Sequence, residues 1–374
     1  LGKKGYKFSL FFYQKGGKSM FLALNEIKHS KLRYTLVIGV MFLIAYLVFF
    51  LTGLAYGLAQ ENRMGIDKWQ ADNILLSSEA NDNLNMSMID PKDFDKVDVK
   101  DRAELSQLSG IVYREGDKSE KENVSFFGIN PDQFITPEVT EGKLFTKDNE
   151  VVADESLKIN AGYKIGDTII LATNEEELTI TGFTKNAKFN VAPILYTTLD
   201  TVHKLKYGER AQMQPMKLNA IVTKGKLTDV PSSLQRLTIS TFINKLPGYN
   251  AQVLTFGFMI GFLVVIAAVV IGIFIYVLTM QKTAIFGVMK AQGISSSYIA
   301  RSVIAQTFFL AVVGVGIGLL ATIGSGLVLP EAVPFQSNAL FFAAVSIMMV
   351  VVAIIGAFFS VRTIVKIDPL KAIS

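Results

Sequence analysis

Hydrophobic and polar positions follow two regimes along this chain. Four charge-free runs, between Arg33 and Glu61, Lys245 and Lys282, Arg301 and Glu331, and Glu331 and Arg362, are apolar with no polar face. Each exceeds the roughly 20 residues a helix needs to cross a bilayer core, which predicts transmembrane helices over 35–59, 251–280, 301–329 and 338–361. The stretch between the first two runs, 60–250, is mostly polar. Short apolar segments there, at 150–153, 168–172, 178–183, 194–198 and 220–222, are broken at Gly162, Gly166 and Asn174–Glu175 and predict strands. Loops are expected to dominate around Asn81–Asn85 and Asp90–Asp95, and 231–245 reads as a helix leading back to the membrane. The predicted fold is a mainly α membrane protein: four transmembrane helices in a 1+3 arrangement, with an α+β extracellular domain, its sheet mainly antiparallel, inserted between helices one and two. Over 20–34, Phe21, Leu22, Leu24, Ile27 and Leu32 alternate at helical spacing with Lys28, Lys31 and Arg33. That segment reads as an amphipathic helix on the inner leaflet or as an extension of the first transmembrane helix.

Charge orients this topology. Residues 60–250 hold 29 of the 32 acids and 23 of the 37 bases, a net charge of −6, against +11 for the remainder. Bases flank the first run at Lys28, Lys31 and Arg33, follow the second at Lys282 and Lys290, and follow the fourth at Arg362, Lys366 and Lys371, whereas the loop at 330–337 has only Glu331. The positive-inside rule therefore predicts cytoplasmic termini, a cytoplasmic loop over 281–300 and tail over 362–374, and an outer domain over 60–250, all in a multi-pass membrane protein. With no cysteine, that domain must rely on its core rather than on disulfides. Residues 1–19 read as an upstream extension or a leader carried over from cloning, with Met20 as the natural start.

Short motifs point to a family. Residues 279–295, TMQKTAIFGVMKAQGIS, hold Gly287, Lys290, Ala291 and Gly293 in a G-x-x-K-A-x-G core; residues 367–373, IDPLKAI, hold Asp368, Pro369 and Ala372 in a D-P-x-x-A pattern; residues 161–167 read A-G-Y-K-I-G-D. With the 1+3 order these resemble the FtsX-like, or macrolide-exporter-like, permeases of ABC transporters, over nearly the whole chain from Met20. Within that family the likeness is to the Gram-positive haem-efflux permeases. The resemblance implies a non-enzymatic homodimer driven by two cytoplasmic ABC ATPase subunits, with ATP used by the partner, no permanently bound cofactor, haem as a substrate, membrane lipid around it and no nucleic acid. Family members often carry an acid two positions before the loop glycine. Here that position is Ile285, so a carboxylate contact to the ATPase is not expected there.

The resemblance also assigns roles. Phe286, Gly287, Met289, Lys290 and Gly293 are the expected ATPase-coupling residues, on a short helix with a turn at Gly293; Lys290 would pair with an acid of the partner or with lipid phosphate. For haem, whose iron takes His, Met, Tyr or carboxylate ligands, the ligand candidates are Tyr249 and Met259. Gln252 is a polar donor beside the ligand, and Phe49, Phe50 and Tyr56 are walls. Interfacial aromatic belts would explain the same residues. The charge-free spans argue against ion-coupled transport and favour an apolar or amphipathic substrate. Antimicrobial-peptide or lipoprotein transport, and regulation of a cell-wall hydrolase without transport, are the alternative readings. His29 and His203 lack metal spacing, and the glycine that a phosphate loop would need before Gly17–Lys18–Ser19 is Phe12, so no metal or ATP site is expected. The spacings Gly53/Gly57 and Gly314/Gly318 suit close helix packing, within one chain or between two.

Overall fold

A computed structural model describes residues 31–330 and 332–365. The expectations for 1–19, for 20–30 of the amphipathic helix, and for 366–374 with its D-P-x-x-A motif lie outside the described residues. In chain order the elements begin with α1 (Lys31–Asp67), β1 (Asn73–Ser77), α2 (Pro91–Asp95), β2 (Asp101–Arg114), β3 (Asp117–Ile129), β4 (Glu141–Gly142), β5 (Glu150–Asp154), α3 (Glu155–Ala161), β6 (Thr168–Leu171) and β7 (Glu177–Thr184). They continue with β8 (Lys188–Phe189), β9 (Ala192–Thr198), α4 (Leu199–Tyr207), β10 (Ala220–Lys224), β11 (Leu234–Thr238), α5 (Ile239–Asn244), α6 (Tyr249–Met280), α7 (Thr283–Ala291), α8 (Ser296–Gly326) and α9 (Ala339–Val365). The described residues form two units: a helical unit of residues 31–56, 255–329 and 335–365, and a sheet unit of residues 57–254, 330 and 332–334.

The sheet unit has one mixed sheet in the order β11-β1-β10-β2-β3-β9-β5-β7-β4, with β6 bridging β2 and β7. Because β6 pairs with both, the run β2-β3-β9-β5-β7-β6 closes on itself. Only β3–β9 and β5–β7 are parallel pairs. Central strands serve two cores by simple alternation, since successive side chains leave opposite faces of a strand. Val124 and Phe126, Val151 and Ala153, and Leu195 line one core, whereas Phe127 and Ile129, Val152, and Ile194 and Tyr196 line the other. Burial on both faces erases the polar alternation that marks a half-exposed strand.

Two stretches differ from their sequence reading. Residues 231–245 are not one helix: Leu234–Thr238 pairs with β1, and only Ile239–Asn244 is helical. The Thr238 side chain caps that short helix by accepting from Thr241 N, which is why the strand stops there. The long hairpin β2–β3, where the sequence reading has no strand, turns at Gly116, whose φ of 84° a side chain resists, and its outer half carries the exposed run Asp117–Lys121.

In the helical unit, α1, α6, α8 and α9 are long and apolar enough to cross a membrane. Small residues let their backbones approach. A Cβ at Gly314 would lie 2.7 Å from that of Met41, and one at Gly318 would lie 2.8 Å from that of Ala45 and 3.0 Å from Tyr46 N. The Gly314/Gly318 pair thus packs α8 on α1 within one chain. Tyr46 Oη reaches Ser325 Oγ at 2.9 Å along the same seam. Gly53 has a different use: the Phe335 ring fills the space where Cβ atoms of Gly53 and Gly326 would stand. On α6 and α9, Gly272 and Gly356 meet backbone to backbone, a Cβ at Gly356 falling 3.2 Å from Gly272 Cα.

Candidate functional site

The chain between α6 and α8 builds a short, sharply bounded helix. Lys282 N closes a turn on Thr279 O, and Phe286 N then donates to Lys282 O to open α7. At its other end Gly293, at φ 85°, lets its N–H bond Lys290 O while Ile294 N bonds Met289 O. That paired arrangement is the Schellman stop, and it needs a residue free to adopt positive φ. Ser295 Oγ then caps α8 by accepting from Tyr298 N.

The two faces of α7 differ. Phe286 and Gly287 are buried, and Phe286, with Met289 and Ile294 beside it, joins the core of the helical unit. Lys290 is half-buried and Gly293 sits at the exposed turn. On the opposite face Ile285 is 59% and Val288 45% exposed, flanked by exposed Ala284 and Ala291. Of the five coupling candidates, Phe286 and Gly287 are therefore the two that are buried. The outward apolar stripe was missed, although positions 284, 285, 288 and 291 carry the helical spacing that marks it.

A second cluster lies in the sheet unit, where the last turns of α1 meet the first turn of α6. Asn62 Nδ2 donates to Gln252 Oε1 at 3.2 Å and to Leu58 O at 2.8 Å, while Gln252 Nε2 is buried without a partner. Arg63 holds Asp67 through two 2.7 Å bonds and also meets the Tyr249 side chain. Tyr249 itself is buried in the sheet unit's core. Glu61 pairs with Lys188 at 2.6 Å, and the turn after Lys188 is stitched to the helix by Asn190 N to Asn62 O and Val191 N to Glu61 O. Val191 adopts φ 69°, a conformation that costs a branched residue roughly 1–2 kcal/mol and survives because these bonds hold it.

The other candidates belong to the helical unit. Phe49 is fully buried edge-on against Phe342, Phe50 lies against Phe335, and Tyr56 against Phe341. These rings already have aromatic partners. Met259 is half-buried. It lies ten residues beyond Tyr249 on one helix, about 15 Å along the axis, so one iron cannot take both from the same chain. His203 Nε2 is engaged with Ala211 O at 2.9 Å, and its ring lies against Tyr207.

Comparison with known proteins gives the class. The MacB-like periplasmic core domain matches residues 34–230, and the FtsX-like permease C-terminal domain matches residues 257–369. The chain belongs to this family of ABC transporter permeases. A hemin transport system permease protein, HrtB, of Staphylococcus haemolyticus is 24% identical over 367 residues, covering 95% of this chain and 99% of that one. An ABC transporter permease of Mycobacterium tuberculosis is 24% identical over 360 residues, covering 94% of this chain and 99% of that one. Among solved structures, the periplasmic region of MacB from Actinobacillus actinomycetemcomitans aligns with 48% of this chain and 93% of that one at 15% identity, with a TM-score of 0.34.

Proposed function

We propose that this chain is the non-catalytic permease subunit of an ABC exporter, working as a homodimer with two cytoplasmic ATPase subunits to expel a hydrophobic substrate, haem, from the membrane. In this reading α1, α6, α8 and α9 span the bilayer, with α7 on the cytoplasmic side and the sheet unit outside. The observation that carries it is α7: a short helix anchored by Phe286 and presenting Ile285 and Val288 outward. An anchored helix with a free apolar face is built to enter a groove of another protein and pass a push inward. Both α1 and α6 run on without a break into the sheet unit, so they are the continuous elements along which that push travels.

Haem follows from chemistry together with the name borne by the staphylococcal relative. Tyr249 supplies a phenol oxygen able to ligate iron, and Gln252 Nε2 is a buried donor still to be satisfied. Coexpression with a cognate ABC ATPase tests the coupling half. The ATPase should copurify with the wild-type chain and be lost with Ile285→Asp/Val288→Asp. Retention of ATPase binding and stimulation after removal of residues 283–293 would contradict it.

A further inference from the structure

The joint between α6 and α7 contains a buried amine. By sequence Lys282 belongs with the basic residues flanking a membrane span, which normally reach headgroups or water. It does neither, being only 6% exposed. Its Nζ donates to Tyr34 Oη at 2.5 Å and lies 3.5 Å from Gln306 Oε1, while Gln306 Nε2 also donates to Tyr34 Oη. The amine stands 5.2 Å from the centre of the Tyr34 ring. Tyr34 is 1% and Gln306 6% exposed. The three residues come from α1, from the turn that opens α7, and from α8.

Burying an ammonium costs several kcal/mol unless its hydrogen bonds are rebuilt in place. Such a network tolerates few alternative arrangements, because each leaves a buried donor unpaired. Lys282 is also the residue before α7, yet its side chain makes no cap bond to that helix. Its carbonyl starts α7 while its amine ties that start to two other helices. Ile299 and Val303 of α8, with Val37 of α1, belong to the surrounding apolar core, which keeps the network dry.

We propose that Lys282, with Tyr34 and Gln306, is the positioning joint through which movement of α7 reaches α1 and α8 together. This rests on the reading of the chain as an ATPase-driven permease. Without the joint α7 would still dock, but its displacement would be absorbed locally at the 280–283 turn. The phenol and the amide are the groups that distinguish a rigid joint from ordinary apolar packing.

The test uses the full chain in nanodiscs of phosphatidylglycerol and phosphatidylethanolamine, with and without the ATPase. In the permease alone, Lys282→Met should speed amide hydrogen exchange over 283–291 by about tenfold, the population change expected when a charge-assisted hydrogen bond is lost. Tyr34→Phe, which removes one oxygen and keeps the ring, should raise it several-fold, and Lys282→Arg should restore much of the protection. With the ATPase present, both loss variants should still bind it yet expel far less substrate per ATP hydrolysed. Unchanged exchange in Tyr34→Phe and Lys282→Met, or an unchanged ratio of transport to hydrolysis, overturns the joint. An ATPase that fails to bind even the wild-type chain overturns the permease reading beneath it, and the exchange measurement tells that failure apart.

Discussion

The sheet unit and the helical unit accommodate buried charge in different ways. In the sheet unit a buried cation meets a carboxylate, Lys188 with Glu61. In the helical unit the Lys282 amine meets a phenol and an amide. The sheet unit's solution joins segments distant in sequence by Coulomb attraction, and it is strict only where water is excluded. In the helical unit the Tyr34 phenol and the Gln306 amide fix the direction of the amine, so hydrogen-bond geometry helps hold it in place. Packing differs in parallel. Alternating side chains fill two faces of one sheet, whereas in the helical unit backbones come close at Gly314, Gly318 and Gly356.

Breaking the comparison on the sheet side should have the largest effect. Glu61 and Lys188 are only 11% and 14% exposed, and removing one member of such a pair leaves a charge stranded. Glu61→Ala or Lys188→Ala should each cost about 3–5 kcal/mol, while replacing both by apolar residues of similar volume should come back close to neutral. Denaturant unfolding of the purified chain reads this. Equal losses in the single and paired variants would show that the bridge is ornamental.

Next comes the helical seam. Gly318→Leu forces a side chain against Ala45 and the backbone at Tyr46, where relief requires α1 and α8 to move apart. About 1–3 kcal/mol of stability should be lost, seen as a lowered thermal midpoint in detergent. Gly316→Leu, on the same helix with open space around its Cβ position, should be nearly silent. Equal effects at the two sites would remove the case for close backbone packing.

The smallest effects belong to titration in the sheet unit, and they carry opposite signs. The Glu150 carboxylate accepts from Thr146 N at 2.8 Å and Lys147 N at 3.1 Å, and these bonds, that from Thr146 foremost, hold its pKa below its ordinary value of 4.5. Its stabilisation is full above that ordinary value and is lost as pH falls through the lowered one. Burial pushes Glu104 upward, despite a bond from Gln133. Its contribution therefore weakens as pH rises from the ordinary value through the raised one. Glu150→Gln should flatten the acid limb of a midpoint-against-pH curve, and Glu104→Gln should raise the plateau at neutral pH. Reversed signs would mean that the two environments are wrongly assigned.

What was legible in the sequence follows the same division. The four apolar runs stand out because a bilayer-length helix needs a long uniform signal. Strands at 150–154, 168–171 and 192–198 were found because Gly and Asn punctuate them. The hairpin 101–129 was not, because its tip is charged and its base is buried on both faces, so neither half alternates cleanly. Residues 231–245 misled because a cap at Thr238 converts strand to helix within one continuous apolar pattern. In the candidate site, family likeness picks out Phe286 and Gly287, which are buried, whereas the exposed Ile285 and Val288 on the same helix are legible only from its periodicity. The Lys282 joint lies beyond sequence reasoning, since Tyr34 and Gln306 are brought to it only by helix packing.

Titrating ferric haem into the full chain in nanodiscs tests the substrate claim most directly, against empty nanodiscs as reference. The account predicts a shifted Soret band that Tyr249→Ala abolishes or moves, with Met259→Ala leaving it in place if Tyr249 is the ligand. A wild-type spectrum indistinguishable from haem in empty nanodiscs would contradict it and redirect the search to peptide or lipid substrates.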